Sequence, residues 1–142
     1  MNDDRVDQTA REERLEAARL PFGTDAKQAA LLRMKRAELA VRNQENGFWV
    51  AAADPTVVTH AITGSIAVAW VQRLAVLTDG ASRAVVLFGL MDWDHALELM
   101  GNQSPTELIK RVRAAEAADP TGQRWPRNKR SDDATAVYYR LT

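Results

Sequence analysis

The sequence predicts a chain of the α/β class, of the α+β type, with mostly antiparallel strands and helices packed outside them. Three observations predict it. Apolar residues recur at helical spacing near the start and again in the second half. Between and after those stretches lie short runs of β-branched and aromatic residues bounded by Gly, Pro, Asn and Asp. The connections are short, which favours antiparallel pairing.

In order, Asp3 to Arg19 is densely charged, with Val6, Ala10, Ala17 and Leu20 forming a thin apolar stripe, and Pro21-Phe22-Gly23 breaks it. Thr24 or Asp25 caps a second helix to about Arg42, which buries Ala26, Ala30, Met34, Ala37 and Val41 and leaves Lys35, Arg36 and Glu38 wet. A short turn between two long helices predicts an antiparallel hairpin. Asn46-Gly47 is a turn signal. Three strands are predicted after it: Phe48-Trp49-Val50, Val57 to Thr63, and Ala67 to Leu77.

Leu74 to Leu77 lack polar alternation, which suits a strand buried on both faces. Thr78-Asp79-Gly80 stops that strand, and Ala84 to Leu90 reads as a short helix. Asp92 caps another helix, with Trp93, Ala96, Leu97 and Met100 inward and Gly101 closing it. Ser104-Pro105-Thr106-Glu107 is a capping box with proline in the first helical position. That helix buries Leu108, Ile109, Val112 and Ala115 and ends at Asp119-Pro120. A basic loop, with Arg124, Arg127, Lys129 and Arg130, leads to Asp132-Asp133-Ala134-Thr135. A last strand then runs from Ala136 to Leu141, with Val137, Tyr139 and Leu141 on one face.

The totals narrow the function classes. The 142 residues suit one domain. A net charge of +0 gives no general attraction to nucleic acid. With no cysteine there are no disulfides, zinc thiolates or thiol nucleophiles, as in a reducing compartment. No apolar run approaches the ~18 residues of a membrane helix, and the polar, acidic start is no signal peptide, so the expected location is the cytoplasm. There is no GxSxG, Walker loop, HExxH or GxGxxG motif. His60 and His95 lie on separate elements without metal-ligand spacing.

Carboxylates at strand ends remain. Asp79 follows one strand, and Asp132 and Asp133 precede another. If those strands pair antiparallel, both carboxylates fall on one edge. Close like charges call for a cation, and hard divalent ions prefer oxygen ligands. Asp79 reads equally as the N-cap of the next helix. Trp125 among the basic residues reads either as part of a phosphate-contacting loop or as part of a solvated one.

TDGASR, followed after helices by SDDATAVYYRL, resembles the C-terminal half of the PP2C-type (PPM) metal-dependent protein serine/threonine phosphatases. RNQENGFWVAAADP, SPTELIKRVRAAEAADP and the basic loop resemble actinobacterial and phage-like relatives, and NDDRVDQTA resembles the stretch past the family's central strands. The resemblance covers nearly the whole chain. It implies an incomplete PP2C-like α-β-β-α sandwich over residues 1–142, taken as a single domain.

The resemblance also implies Asp79 and Asp132 as ligands of Mg2+ or Mn2+, supported by Gly80, Asp133 and Thr135; if the basic loop meets phosphate, Arg127 and Lys129 are its candidate contacts. In the family, two such ions activate water against a phosphoserine or phosphothreonine ester. Arg83 departs from the pattern, since many relatives carry an acidic residue near that position. The family's first-half motifs are not found ahead of Asn2. The expectation is therefore metal-dependent phosphoester hydrolysis only when a first half completes the domain, with metal weakly bound or absent in the isolated chain. The alternative is a non-catalytic, phosphatase-like binding or regulatory module. Expected partners are a phosphoprotein substrate, a protein completing the sheet, or another copy pairing through open edge strands, with no role for nucleic acid or membrane.

Overall fold

Three of the longer helices start where a side chain accepts an orphan amide, at Thr24, Asp92 and Ser104. The computed structural model describes residues 5–141. The chain mixes helices with one two-stranded antiparallel sheet and divides into two compact units, Met1–Ser65 with Pro126–Asn128, and Ile66–Trp125 with Lys129–Thr142. Among the described residues no helix is long and apolar enough to cross a membrane.

In the first unit the expected opening helix is two pieces, α1 (Arg5–Gln8) and α2 (Arg11–Arg19). Its expected start at Asp3 lies outside the described residues. The break falls at Ala10, which is left-handed at φ 49°. The Thr9 hydroxyl donates to the Arg5 carbonyl and competes with the helical ladder, while Arg14 reaches the Val6 carbonyl at 3.0 Å. Thr24 caps α3 (Asp25–Val41), accepting from the Lys27 amide at 3.1 Å. α2 packs on α3 around Ala17, Ala30 and Met34.

The buried stripe of α3 is Lys27, Ala30, Met34 and Glu38, so the expectation of an exposed Glu38 and an inward Ala26 is corrected. Glu38 is buried because Arg14 (2.6 Å) and Lys35 (2.8 Å) pair its carboxylate. Lys27 is buried because its ammonium donates to the carbonyls of Ala17 and Arg127 (2.7 Å to the latter) and stands 4.7 Å over the Phe22 ring. Burial, then the Arg127 charge, pulls the Lys27 amine below the usual lysine value. The unfolded chain therefore binds more protons, and stability rises with pH toward the free lysine value of about 10.4. Chemical denaturation from pH 8 to 10.5 is expected to show the wild type gaining stability relative to Lys27→Met. A constant difference refutes the assignment.

Two of the three predicted strands are corrected, and the third is shortened. Phe48 makes a single bridge to Arg42. Val57 to Thr63 instead contributes to a 3-10 turn, Pro55–His60, because the Asp54 carboxylate caps the Thr56 amide at 2.9 Å and Pro55 is pre-set for the first position. Strand propensity is realised only against a partner strand, and among the described residues this stretch has none. Within Ala67 to Leu77, residues Val68–Trp70 form another 3-10 turn, and only Arg73–Leu77 is strand. Trp49 stacks on His60 with ring centroids 3.5 Å apart.

In the second unit β1 (Arg73–Leu77) pairs antiparallel with β2 (Ala136–Arg140), with Leu74 opposite Tyr139 and Leu77 opposite Ala136. One face, carrying Ala75, Leu77, Ala136 and Tyr138, packs on a core of Ala84, Phe88, Ala96, Leu99, Met100, Leu108, Val112 and Ala115. The other face exposes Leu74, Val76, Val137 and Tyr139 at 50–61%. The expected burial of this strand on both faces is thus corrected: within the unit only one layer of helices covers the sheet.

α4 is Asp79–Val86, α5 is Trp93–Asn102 and α6 is Pro105–Ala118. α4 begins five residues before the predicted Ala84, because Thr78 takes the N-cap position. Asp92 and Ser104 cap α5 and α6 as expected, accepting from His95 (2.8 Å) and Glu107 (3.2 Å). Trp93, expected inward, is 45% exposed, and Leu99 is buried instead. Gly101 does not end α5 but lies within it, where a Cβ would stand 2.6 Å from the Tyr138 hydroxyl oxygen. Close packing, rather than a C-cap, accounts for this glycine.

Candidate site at the carboxylate rim of the sheet

The β1–β2 register brings the end of β1 and the approach to β2 to one rim. Thr78 ties them. Its amide donates to the Thr135 carbonyl (3.0 Å), its hydroxyl to the Asp133 carbonyl (3.2 Å), and that hydroxyl accepts from the Thr135 amide (2.9 Å). Because the Thr78 oxygen is used across the rim, it makes no side-chain cap to α4. Gly80 is buried in the first turn of α4, directly under the other segment. A Cβ there would lie 2.2 Å from the Asp133 carbonyl oxygen and 3.2 Å from the Asp132 Cβ. Asp79-Gly80 is therefore the start of a helix rather than a free glycine turn, and close approach of backbone explains the glycine.

Asp79 is exposed, and one of its oxygens accepts from the Gly80 amide at 2.9 Å. Asp132 is held differently. Its Oδ1 accepts from Lys129 (2.8 Å) and the Asp133 amide (3.1 Å), and its Oδ2 from Arg83 (3.0 Å) and Lys129 (3.0 Å). Burial pushes the Asp132 carboxyl up, but the Lys129 hydrogen bond and charge, the Asp133 amide and the Arg83 charge outweigh it. The group therefore sits below the usual aspartate value.

Sequence reasoning missed the ionic network behind this carboxylate. Arg83 joins Asp132 to Glu116 of α6 (3.2 Å), and Arg113 pairs the other Glu116 oxygen (2.7 Å) while donating to the Asp132 carbonyl (2.7 Å). Glu116 is 3% exposed. Two guanidinium groups thus pin α4, α6 and the approach to β2 at one carboxylate. The available signal was Arg83 standing one helical turn after Asp79, on the rim side of α4.

The remaining expected residues are distributed unevenly. Asp133 and Thr135 are exposed, and their backbones serve the Thr78 tie. Lys129 bonds Asp132 with both oxygens. Arg127 belongs to the first unit, where it is 4% exposed, lies 5.3 Å over the Phe22 ring and accepts from Lys27 through its carbonyl. Trp125 packs edge-on to Phe88 at 5.1 Å, with Arg124 4.1 Å over its ring, so it serves the core of the second unit.

Among the described residues no group of three or more His, Cys, Asp or Glu side chains could hold a metal ion. The rim offers Asp79 and an Asp132 whose oxygens are already filled. As they stand, these residues do not fit a hard divalent ion, which needs several oxygens in nearly ideal geometry. Comparison with protein-family models, curated proteins and solved structures gave no match.

Proposed function

We propose that this chain is a phosphatase-like module, the second half of an α-β-β-α sandwich of the PP2C type, and that alone it binds a protein partner rather than turning over substrate. The observation that carries the reading is the rim itself. The Leu77–Ala136 pairing brings Asp79 and Asp132 to one end of the sheet, and Gly80 allows the two backbones to touch. The uncovered sheet face, with Leu74, Val76, Val137 and Tyr139, supports a partner that supplies a second layer. Completed in that way, the rim belongs to a Mg2+- or Mn2+-dependent phosphoester hydrolase acting on phosphoproteins, with Asp79 and Asp132 as ligands and Lys129 as a phosphate contact. The cysteine-free composition fits a cytoplasmic address.

Manganese-dependent hydrolysis of p-nitrophenyl phosphate tests this. The isolated chain is expected to show no turnover that depends on Asp79 or Asp132. Adding a chain that supplies the first half of the sandwich is expected to give turnover that Asp79→Ala and Asp132→Ala each abolish. Turnover that survives both changes removes the metal-site assignment.

A further inference from the structure

We infer that the uncovered face of the β1–β2 sheet is covered by a second copy of this chain. The two copies pack face to face about a two-fold axis, with their strands antiparallel. The inference rests on the half-sandwich reading for the missing layer, and it names the occupant of that layer.

The composition of the face suits a second copy. β1 presents Leu74 and Val76 there, and β2 presents Val137 and Tyr139, none of them charged. A copy that only added its edge to this sheet would leave these four apolar side chains in water. Packing sheet on sheet, about 10 Å apart, covers them. The assembly then has helices, sheet, sheet and helices in four layers.

The strand register selects one arrangement. Leu74 stands opposite Tyr139, and Val76 opposite Val137. One end of the face therefore carries its two large side chains and the other end its two small ones. A two-fold axis along the strands would set Leu74 of one copy over Tyr139 of the other, large on large. An axis across the strands, level with Ala75 and Tyr138, sets Leu74 over Val76 and Tyr139 over Val137. Bulk then fills each gap, as close packing requires. Charge selects the same arrangement. Asp79 and Asp133 are exposed at the rim, and Arg73 pairs with Arg140 at the opposite end of the ladder. Antiparallel packing brings the acidic rim of each copy to the arginine end of the other. The alternative sets rim against rim.

The area is sufficient. Ile66, Val68 and Trp70, on the segment that runs into β1, are 65–79% exposed. With the sheet face they offer apolar surface on the order of 800 Å2, where one aromatic side chain alone can bury about 150–250 Å2. A standard stable interface buries about 800 Å2 per partner. The largest apolar patch of a typical monomer is only about 300–600 Å2.

Sedimentation velocity of the full chain across the micromolar range tests this, with a circular dichroism melt for each variant. The wild type is expected to dimerise. Val76→Glu and Val137→Glu are each expected to be monomeric and to melt within a few degrees of the wild type, since both side chains are exposed in one copy. Arg140→Glu is expected to weaken the dimer about tenfold, and adding Asp133→Arg to recover most of that loss. A dimer that Arg140→Glu leaves unchanged or tightens overturns the antiparallel arrangement. A monomeric wild type, or a dimer that survives both glutamate variants, overturns the second copy as occupant. In that case, binding of a chain that supplies the first half of the sandwich, lost in Val76→Glu, leaves the half-sandwich reading standing. No such binding overturns both.

Discussion

Gly80→Val is expected to lower the unfolding temperature by more than ~10 °C, at a cost of about 3 kcal/mol or more. The reason is steric and local to the rim. Even the first added carbon would meet the Asp133 carbonyl oxygen at 2.2 Å and its carbon at 2.9 Å. Both are backbone, so no side chain can rotate away. The two segments must separate, and the Thr78 hydrogen bonds to Asp133 and Thr135 go with them. The Thr78 amide bond to the Thr135 carbonyl, which continues the β1–β2 ladder, is lost with them, so the damage reaches the sheet. Gly64→Ala is the control. Nothing lies within 4 Å of a Cβ there, and its effect should stay within about 0.5 kcal/mol. Circular dichroism melts of the two variants decide the matter, and equal melting points would mean that the close approach does not exist.

The second large effect is expected from Arg83→Met, at about 2–3 kcal/mol. Breaking a buried ion pair costs ~3–5 kcal/mol when one charge is left alone. Here neither carboxylate is left alone, since Glu116 keeps Arg113 and Asp132 keeps Lys129, so the lower figure applies. The Lys129 pair is exposed on the lysine side and contributes under ~1 kcal/mol.

The pH dependence carries a definite sign. The folded carboxyl of Asp132 lies below its ordinary value. Its contribution is therefore full above the unfolded value of about 3.9 and fades as pH falls through the lower folded value. Melting temperatures from pH 6 to pH 2 should show wild type and Asp132→Asn converging in the acid range. In Arg83→Met the loss should be complete at a higher pH, because one of the charges that depress the folded carboxyl is gone. Parallel profiles for all three proteins would refute the ionic latch.

Local signals were legible in the sequence, and long-range ones were not. Thr24, Asp54, Asp92 and Ser104 each accept a backbone amide two or three residues ahead. Such bonds need no other part of the chain, so the starts of α3, α5 and α6 could be read directly. The same locality overturned the strand expected at Val57 to Thr63, where the Asp54-Pro55 start prevailed over β-branched propensity. Glu38 and Lys27 were placed wrongly or not at all because their burial depends on Arg14, 24 residues from Glu38, and on the Arg127 carbonyl, 100 residues from Lys27. Gly101 was read as a helix end because its neighbour in space, Tyr138, is distant in sequence.

At the rim the division is the same. The sequence by itself determined that acidic residues would stand at the end of β1 and ahead of β2, because strand ends and helix caps are written in adjacent residues. It also determined a mixed helix and strand chain. Only the tertiary structure decided that Asp132 would be filled by Lys129 and Arg83, that Glu116 would join them, and that one face of the sheet would stay uncovered. Arg83 meets Asp132 across 49 residues and Glu116 across 33. Pairings at that range are set by strand register and helix packing, which no local pattern of residues encodes.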